Sequence, residues 1–315
     1  MKISVVMSVY NGADYLPASI ESILEQTFKD FVFLIVNNGS DDNTAQILKK
    51  YHALDKRIEI ITSKKNLSYV EGRMLAIRKV KTEWFAIMDA DDISLPSRLE
   101  KQVNMIINSN IPIAAIGTWA KYINNKGKIL GSMRMNPTSP SEFKRMLSDN
   151  QAIVLIDPSS IIHLPTFNLV GGYRSEYVPS ADLDLWYRLS EKNKVLLVIP
   201  EYLIHYRVHN NSGSVMRTLL QRKKTHFVNY NMRLRRMNYE EILWEDFLDS
   251  VWSNYIYRIS RLRIDLAMTF FKHAGLSYGE GKFLICIINL IKAFLLSPGF
   301  VLKRLVRQQI IFFKK

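Results

Sequence analysis

An α/β fold with a doubly wound, mostly parallel sheet, followed by a helical C-terminal region, is what this sequence predicts, and three observations carry that reading. Apolar, β-branched runs of strand length alternate with helical segments over the first two thirds of the chain. Each run ends in turn residues. Beyond about residue 214 the strands stop and basic helices take over.

Residues 3–9 (ISVVMSV) and 31–36 (FVFLIV) read as strands closed by YNG and NNGS. Between them, DYLPASIESILEQT sets Leu16, Ile20, Ile23 and Leu24 at helical spacing, with Pro17 near the start where proline is tolerated. Asp41 or Asp42 caps a second helix carrying Ala45, Ile47, Leu48 and Tyr51. Ile58–Ile61 is a third strand, a helix follows at Gly72–Val80, and Trp84–Met88 is a fourth strand. Repeats this short require right-handed crossovers and a parallel sheet. Their post-strand loops gather on the carboxyl edge, where doubly wound folds bind ligands. Tyr10 and Asn11 of YNG, Asn37 and Asn38 of NNGS, and the acids of DADD therefore share one crevice.

Asp89, Asp91 and Asp92 stand within four residues, and their mutual repulsion calls for a cation. Oxygen ligands at i and i+2 suit magnesium or manganese, which are usually held by one or two carboxylates plus substrate phosphates. The pattern thus implies a metal and a diphosphate together. Asp92 is open between this role and capping the next helix, which starts near Pro96 and Ser97 and carries Leu99, Val103, Ile106 and Ile107.

Composition closes several function classes. With 48% hydrophobic and 23% charged residues the chain is not disordered, and one cysteine, Cys286, allows neither an intramolecular disulfide nor a zinc finger. The apolar run at the N-terminus is too short for a signal peptide. A net charge of +14 is concentrated in Val215–Lys315, where 18 basic residues meet 7 acidic ones. Such an excess points to an acidic partner, nucleic acid or an anionic membrane surface.

The series VVMSVYNGADYLPASIESILEQTFKDF, IVNNGSDDNTAQIL, NLSYVEGRMLAI, FAIMDADDISLPSRLEKQ, GGYR and SADLDLWYRL resembles family 2 glycosyltransferases of the A-type fold, especially bacterial enzymes of surface polysaccharide synthesis, over residues 3–214 with gaps. The resemblance implies a nucleotide-sugar half at about 1–118, an acceptor half at about 119–214, and a C-terminal region at 215–315. It makes DAD the family's D-x-D motif, with Asp91 on a divalent metal (Mn2+ or Mg2+) and Asp89 on ribose or metal. Asn37 and Asn38 stand where the family usually has two aspartates that help recognise the base. An asparagine carbonyl still accepts from uracil N3–H. Arg73 resembles the arginine of an aRN segment near the nucleotide, and Tyr10 and Asn11 join the same donor site.

SADLDLWYRL resembles the family's Glu-Asp motif with Ala181 in place of glutamate, which makes Asp182 the catalytic base. Positions 182 and 184 lie about 200° apart on a helix, so only one faces the cleft, and Asp184 is read as a first-turn charge on the helix dipole. Ser180 reads as the N-cap. In IHYRVHNNSGS, Arg207 and His209 share one side of an extended segment. They are candidates for diphosphate binding, with His209 also open to completing the metal shell or to a structural role. By resemblance, residues 157–174 form part of the acceptor site, and His163 there reads equally well as a surface residue. No motif supplies a carboxylate as covalent nucleophile, so a single displacement with inversion is expected, from a UDP-sugar to a hydroxyl of a lipid-linked saccharide. Two rival readings are a catalytically silent, membrane-associated binding protein of the same fold, suggested by Asn37, Asn38 and Ala181, and a nucleotidyltransferase releasing pyrophosphate.

In the basic tail, nucleic acid is set aside because no such motif is present and many aromatics fall at core spacing. Phe283–Leu296 has 12 apolar residues of 14, but at roughly 21 Å it falls short of a hydrocarbon layer of about 30 Å. Lys282, Asn289 and Lys292 form a narrow polar stripe on it. After Ser297, Pro298 and Gly299, the segment VLKRLVRQQIIFFKK sets Lys303, Arg304 and Arg307 opposite Leu302, Leu305 and Val306. Interfacial helices on an anionic membrane are the expectation, peripheral on the cytoplasmic face of the inner membrane. A buried helix or a dimer contact is the alternative.

Overall fold

A computed structural model describes residues 1–192, 194–208 and 218–312, with side chains through residue 305. It divides into two compact units, Met1–Ile123 with Gly131–Arg207, and Asn124–Leu130 with Val208–Lys315.

The first unit runs β1 (Ile3–Val9), α1 (Leu16–Leu24), β2 (Phe31–Asn38), α2 (Thr44–Leu54), β3 (Ile58–Ser63), α3 (Tyr69–Ile77), β4 (Trp84–Ile87), β5 (Ile93–Ser94), α4 (Arg98–Ile107), β6 (Ile113–Ile123), β7 (Ile129–Met133), α5 (Pro140–Ser148), β8 (Ile161–His163), α6 (Leu164–Leu169), α7 (Ala181–Ser190) and β9 (Val195–Arg207). The sheet order is β3-β2-β1-β4-β8-β6-β9-β5, with β7 added on β6. β3, β2, β1 and β4 are parallel, as the alternating pattern predicts. The other half keeps one long parallel pair, β6 with β9, and adds short antiparallel strands to it: β8 is antiparallel to both β4 and β6, and β5 is antiparallel to β9. β5 and β8 are two and three residues long, too short to carry a periodicity that would announce them.

α3 begins a turn earlier than its apolar spacing suggests, because Ser68 and Glu71 close a capping box. α4 buries polar residues on its core side. Arg98 donates to the carbonyls of Ile87 and Pro158, and Gln102 donates to those of Ile116 and Ser159. Gln26 accepts from the Leu99 N–H and donates to Leu95 O. Gln26, Arg98 and Gln102 thus pin the start of α4 and the backbone segments around it.

The second unit holds α8 (Thr218–Arg236), the short α9 (Trp244–Asp246) continued by a π-helical turn (Phe247–Trp252), α10 (Tyr255–Gly279), α11 (Phe283–Leu296) and α12 (Pro298–Phe312). Phe227, Trp244, Phe247 and Trp252 pack ring against ring at 5.2–6.1 Å, with Phe247 wholly buried. These aromatics are core, as their spacing predicts. Among the described residues no helix is long and apolar enough to cross a membrane.

Candidate active site

The carboxyl ends of β1, β2 and β4 bring YNG, NNGS and DADD to one rim. Asn11, at φ 49°, receives a hydrogen bond from Asp41 N (3.0 Å) and donates to Asp41 Oδ1 (2.7 Å), while its own N–H donates to Ser40 Oγ (3.1 Å). These bonds tie the first two turns together. Tyr10 beside it is exposed. Asn37 is buried and its Oδ1 accepts from Ser40 N (3.1 Å). Asn38 is buried too, with Oδ1 accepting from Leu67 N (3.2 Å) and Nδ2 donating to Leu67 O (3.0 Å). Its amide therefore holds the 66–67 loop against the rim.

Arg73 is the hub. Buried on α3, it donates through Nη2 to Asp89 Oδ1 (2.7 Å), and through Nη1 to Asp157 Oδ2 and to the Tyr173 hydroxyl (3.3 Å). Tyr173 in turn donates to Asp157 Oδ1 (2.8 Å). Burial opposes the Arg73 charge, but Asp157, Tyr173 and Asp89 outweigh it and raise its pKa further. Burial in the crevice wall lifts Asp89 to about 6; Arg73 pulls it down, while Asp91 and Asp157 push it up.

Asp182 opens α7 behind Ser180, which occupies the predicted N-cap position. Burial, then the nearby charge of Asp157, raises its carboxyl to about 7, against the Leu183 N–H and Arg73 that lower it. The Tyr69 phenol, held neutral by burial and by Asp182 and Asp157, lies in the same group. Asp89 and Asp182 therefore both feel the charges of the Arg73–Asp157 pair, Asp89 through a direct hydrogen bond and Asp182 through space. Asp184, two residues on, is wholly buried and bound by Arg174 and Arg188. Arg188 also donates to Gly172 O (2.7 Å) and to Val170 O. Asp184 is structural as expected, through ion pairs that fix the 170–174 turn.

Asp92 does not cap α4. It is buried, and its Oδ1 accepts from the Arg207 backbone N–H (2.7 Å), while Arg207 Nε donates to Asp91 O (2.7 Å) and its guanidinium covers the Tyr15 ring at 4.7 Å. Arg207 thus clasps the DADD loop from beneath. His209 lies outside the described residues. His163 is not a surface residue: it is buried, caps α6 through Thr166, and meets Glu83 Oε1 at 3.1 Å.

Asp157, Tyr173 and Tyr69 are the members that sequence reading missed. Asp157 and Tyr173 fall inside the segment the resemblance gives to the acceptor, yet no spacing links Asp157 to Arg73, 84 residues away. The donor set fits a hard divalent cation. Asp89 keeps 35% of its side chain exposed, and Asp91 stands beside it at the crevice, so two repelling carboxylates offer oxygen where a phosphate would complete the shell.

Comparison with known proteins bears on this arrangement. Residues 4–163 match the model of Glycosyl transferase family 2. The O-antigen biosynthesis glycosyltransferase WbnJ of Escherichia coli is 34% identical over 220 residues, covering 67% of this chain and 81% of WbnJ. S. aureus TarS residues 1–349, solved with UDP-GlcNAc, superposes with a TM-score of 0.58 at 14% identity over 92% of this chain and 89% of that one. The mannosyltransferase PcManGT of Pyrobaculum calidifontis, solved with GDP-Man and Mn2+, superposes with a TM-score of 0.57 at 13% identity over 93% and 86%. With its family match reaching from the first strand to β8 and its fold that of the A-type glycosyltransferases, the chain belongs to glycosyl transferase family 2.

Proposed function

We propose that this protein transfers a sugar from a nucleoside-diphosphate sugar, with UDP as the carrier, to a hydroxyl of a lipid-linked saccharide in surface polysaccharide synthesis (O-antigen, lipopolysaccharide or capsule), with inversion at the anomeric carbon. One observation carries the reading: Asp89, hydrogen-bonded to the buried Arg73–Asp157 pair, and Asp182, within electrostatic reach of the same pair, belong to one charged group at the carboxyl rim. The similarity to an O-antigen glycosyltransferase supports the acceptor class, and neighbours solved with UDP-GlcNAc or GDP-Man support the donor class.

Asp182 takes the proton of the acceptor hydroxyl. Its raised pKa makes it a better base than an ordinary carboxylate while leaving a large share ionised at neutral pH. The hydroxyl oxygen then bonds to the anomeric carbon as the bond from that carbon to the diphosphate oxygen breaks, and the nucleoside diphosphate leaves with the electron pair. Asp91, with the Asp89 oxygen that Arg73 does not take, would hold Mn2+ or Mg2+, which when bound neutralises charge on the leaving diphosphate. Arg73 keeps Asp89 oriented, and the Arg207 clasp keeps the DADD loop in register. Asn37, lining the rim beside Tyr10 and Asn11, offers the base its amide.

The test is a screen of nucleotide sugars with and without manganese, read by thermal shift, followed by assay of the released nucleotide. A metal-dependent rise with one UDP-sugar and release of UDP support the reading. Donor binding with no transfer to any acceptor would instead make the chain a silent binding protein. Pyrophosphate among the products would make it a nucleotidyltransferase.

A further inference from the structure

We infer that the face of the second unit formed by α11 and the start of α12 docks on an anionic lipid bilayer, lying in its surface without crossing it. In α11, eight of fourteen side chains are large, apolar and 43–77% exposed, among them Leu284, Ile287, Ile291 and Leu295. Only Cys286 and Ala293 are buried, so the helix rests on its own unit through small side chains and turns its bulk outward. Soluble proteins rarely leave such a continuous apolar surface uncovered.

Charge identifies what covers it. From residue 281 to the last residue the chain carries seven Lys and Arg and no Asp or Glu. Next to the apolar helix, Lys303 and Arg304 are exposed between the exposed Leu302 and Leu305, and among the described residues neither meets a carboxylate. Apolar side chains interspersed with unpaired cations match acyl chains beneath anionic headgroups. A second copy of this chain fits poorly, since the same face on the partner has no carboxylate with which to pair these cations. Fourteen residues span roughly 21 Å, less than a hydrocarbon layer of about 30 Å, so α11 lies along the interface. The inference goes beyond the transferase reading and is read without donor or acceptor, so either can fail while the other stands.

The experiment is co-sedimentation of the full chain with phosphatidylcholine vesicles, alone or mixed with phosphatidylglycerol. Partition onto the anionic vesicles is expected, falling as salt rises. The pair Leu284→Asp and Leu295→Asp abolishes it, and both positions are exposed enough (72% and 77%) for the fold to tolerate the change, which circular dichroism checks. The pair Lys303→Gln and Arg304→Gln, wholly on the surface, weakens binding by roughly thirty-fold. No preference for anionic vesicles, or binding indifferent to both pairs, overturns the inference. So does a dimer in sedimentation equilibrium that Leu284→Asp with Leu295→Asp dissolves while vesicles go unbound.

Discussion

The two compact units depart from apolar-inside, charged-outside in opposite directions. The first buries Arg73, Asp92, Arg98, Asp157, Asp184 and Arg188, each at 9% exposure or less. The second leaves most of one apolar helix in the open. Both departures are costly, and each therefore points to something the unit does. In the first unit the buried Asp184 and the partly buried Asp89 and Asp182 divide. Asp184 is saturated by two arginines and serves packing, whereas Asp89 and Asp182 are held short of full satisfaction and their pKa values rise. Distance along the chain says little about that division, since Asp182 and Asp184 are neighbours but for one leucine.

The sharpest way to break this contrast is at α7. Asp182→Asn should lower the transfer rate by about 10² to 10⁴ while donor binding is kept. A loss of only a few-fold would remove Asp182 as the base. The same change should stabilise the fold, because Asp182 carries a raised folded-state pKa: its ionisation costs the native state, and that cost is fully present above pH about 7 and shrinks below it. The thermal midpoint of Asp182→Asn should therefore exceed that of the unaltered protein by more in alkaline than in acidic buffer. Asp184→Asn should do the reverse, destabilising by about 3–5 kcal/mol in denaturant titration, because it removes the buried charge that the buried Arg188 and the partly buried Arg174 share.

A smaller effect tests the rim. Asn38→Asp, although it restores a residue type usual in the family, should destabilise by about 1–3 kcal/mol, because a carboxylate cannot donate to Leu67 O. Asn37→Asp should cost less, since the Asn37 oxygen only accepts from Ser40 N. Equal losses at the two positions would show that the inward amide of Asn38 is not what holds the 66–67 loop. The smallest effect expected is a change of profile: with saturating donor the rate should climb with pH and level off above about 7, as Asp182 loses its proton. A flat profile across that range would separate the base from this residue.

Much of the first unit was legible in the sequence because β1 to β4 and the helices between them carry their periodicity and end in turn residues. The apolar spacing of Leu16, Ile20 and Ile23 or of Leu99 and Val103 names a buried face without any partner in view. Asp89, Asp91 and Asp182 were also legible, two from crowding of charge and one from resemblance. β5 and β8 were not, being too short for a period. Asp92 read equally well as a cap until the Arg207 N–H appeared 115 residues away.

What the sequence by itself determined, then, is local: alternating strands and helices, three loops on one rim, a basic tail with an apolar helix. Only the tertiary structure decided that Arg73 joins Asp89 to Asp157, that Asp182 feels their charges while Asp184 is sealed between arginines, and that α11 keeps its apolar side chains outward. Periodicity and turn chemistry act over a few residues and are written in order along the chain. Charge coupling and burial depend on distance through space, which the chain sets only once it has folded.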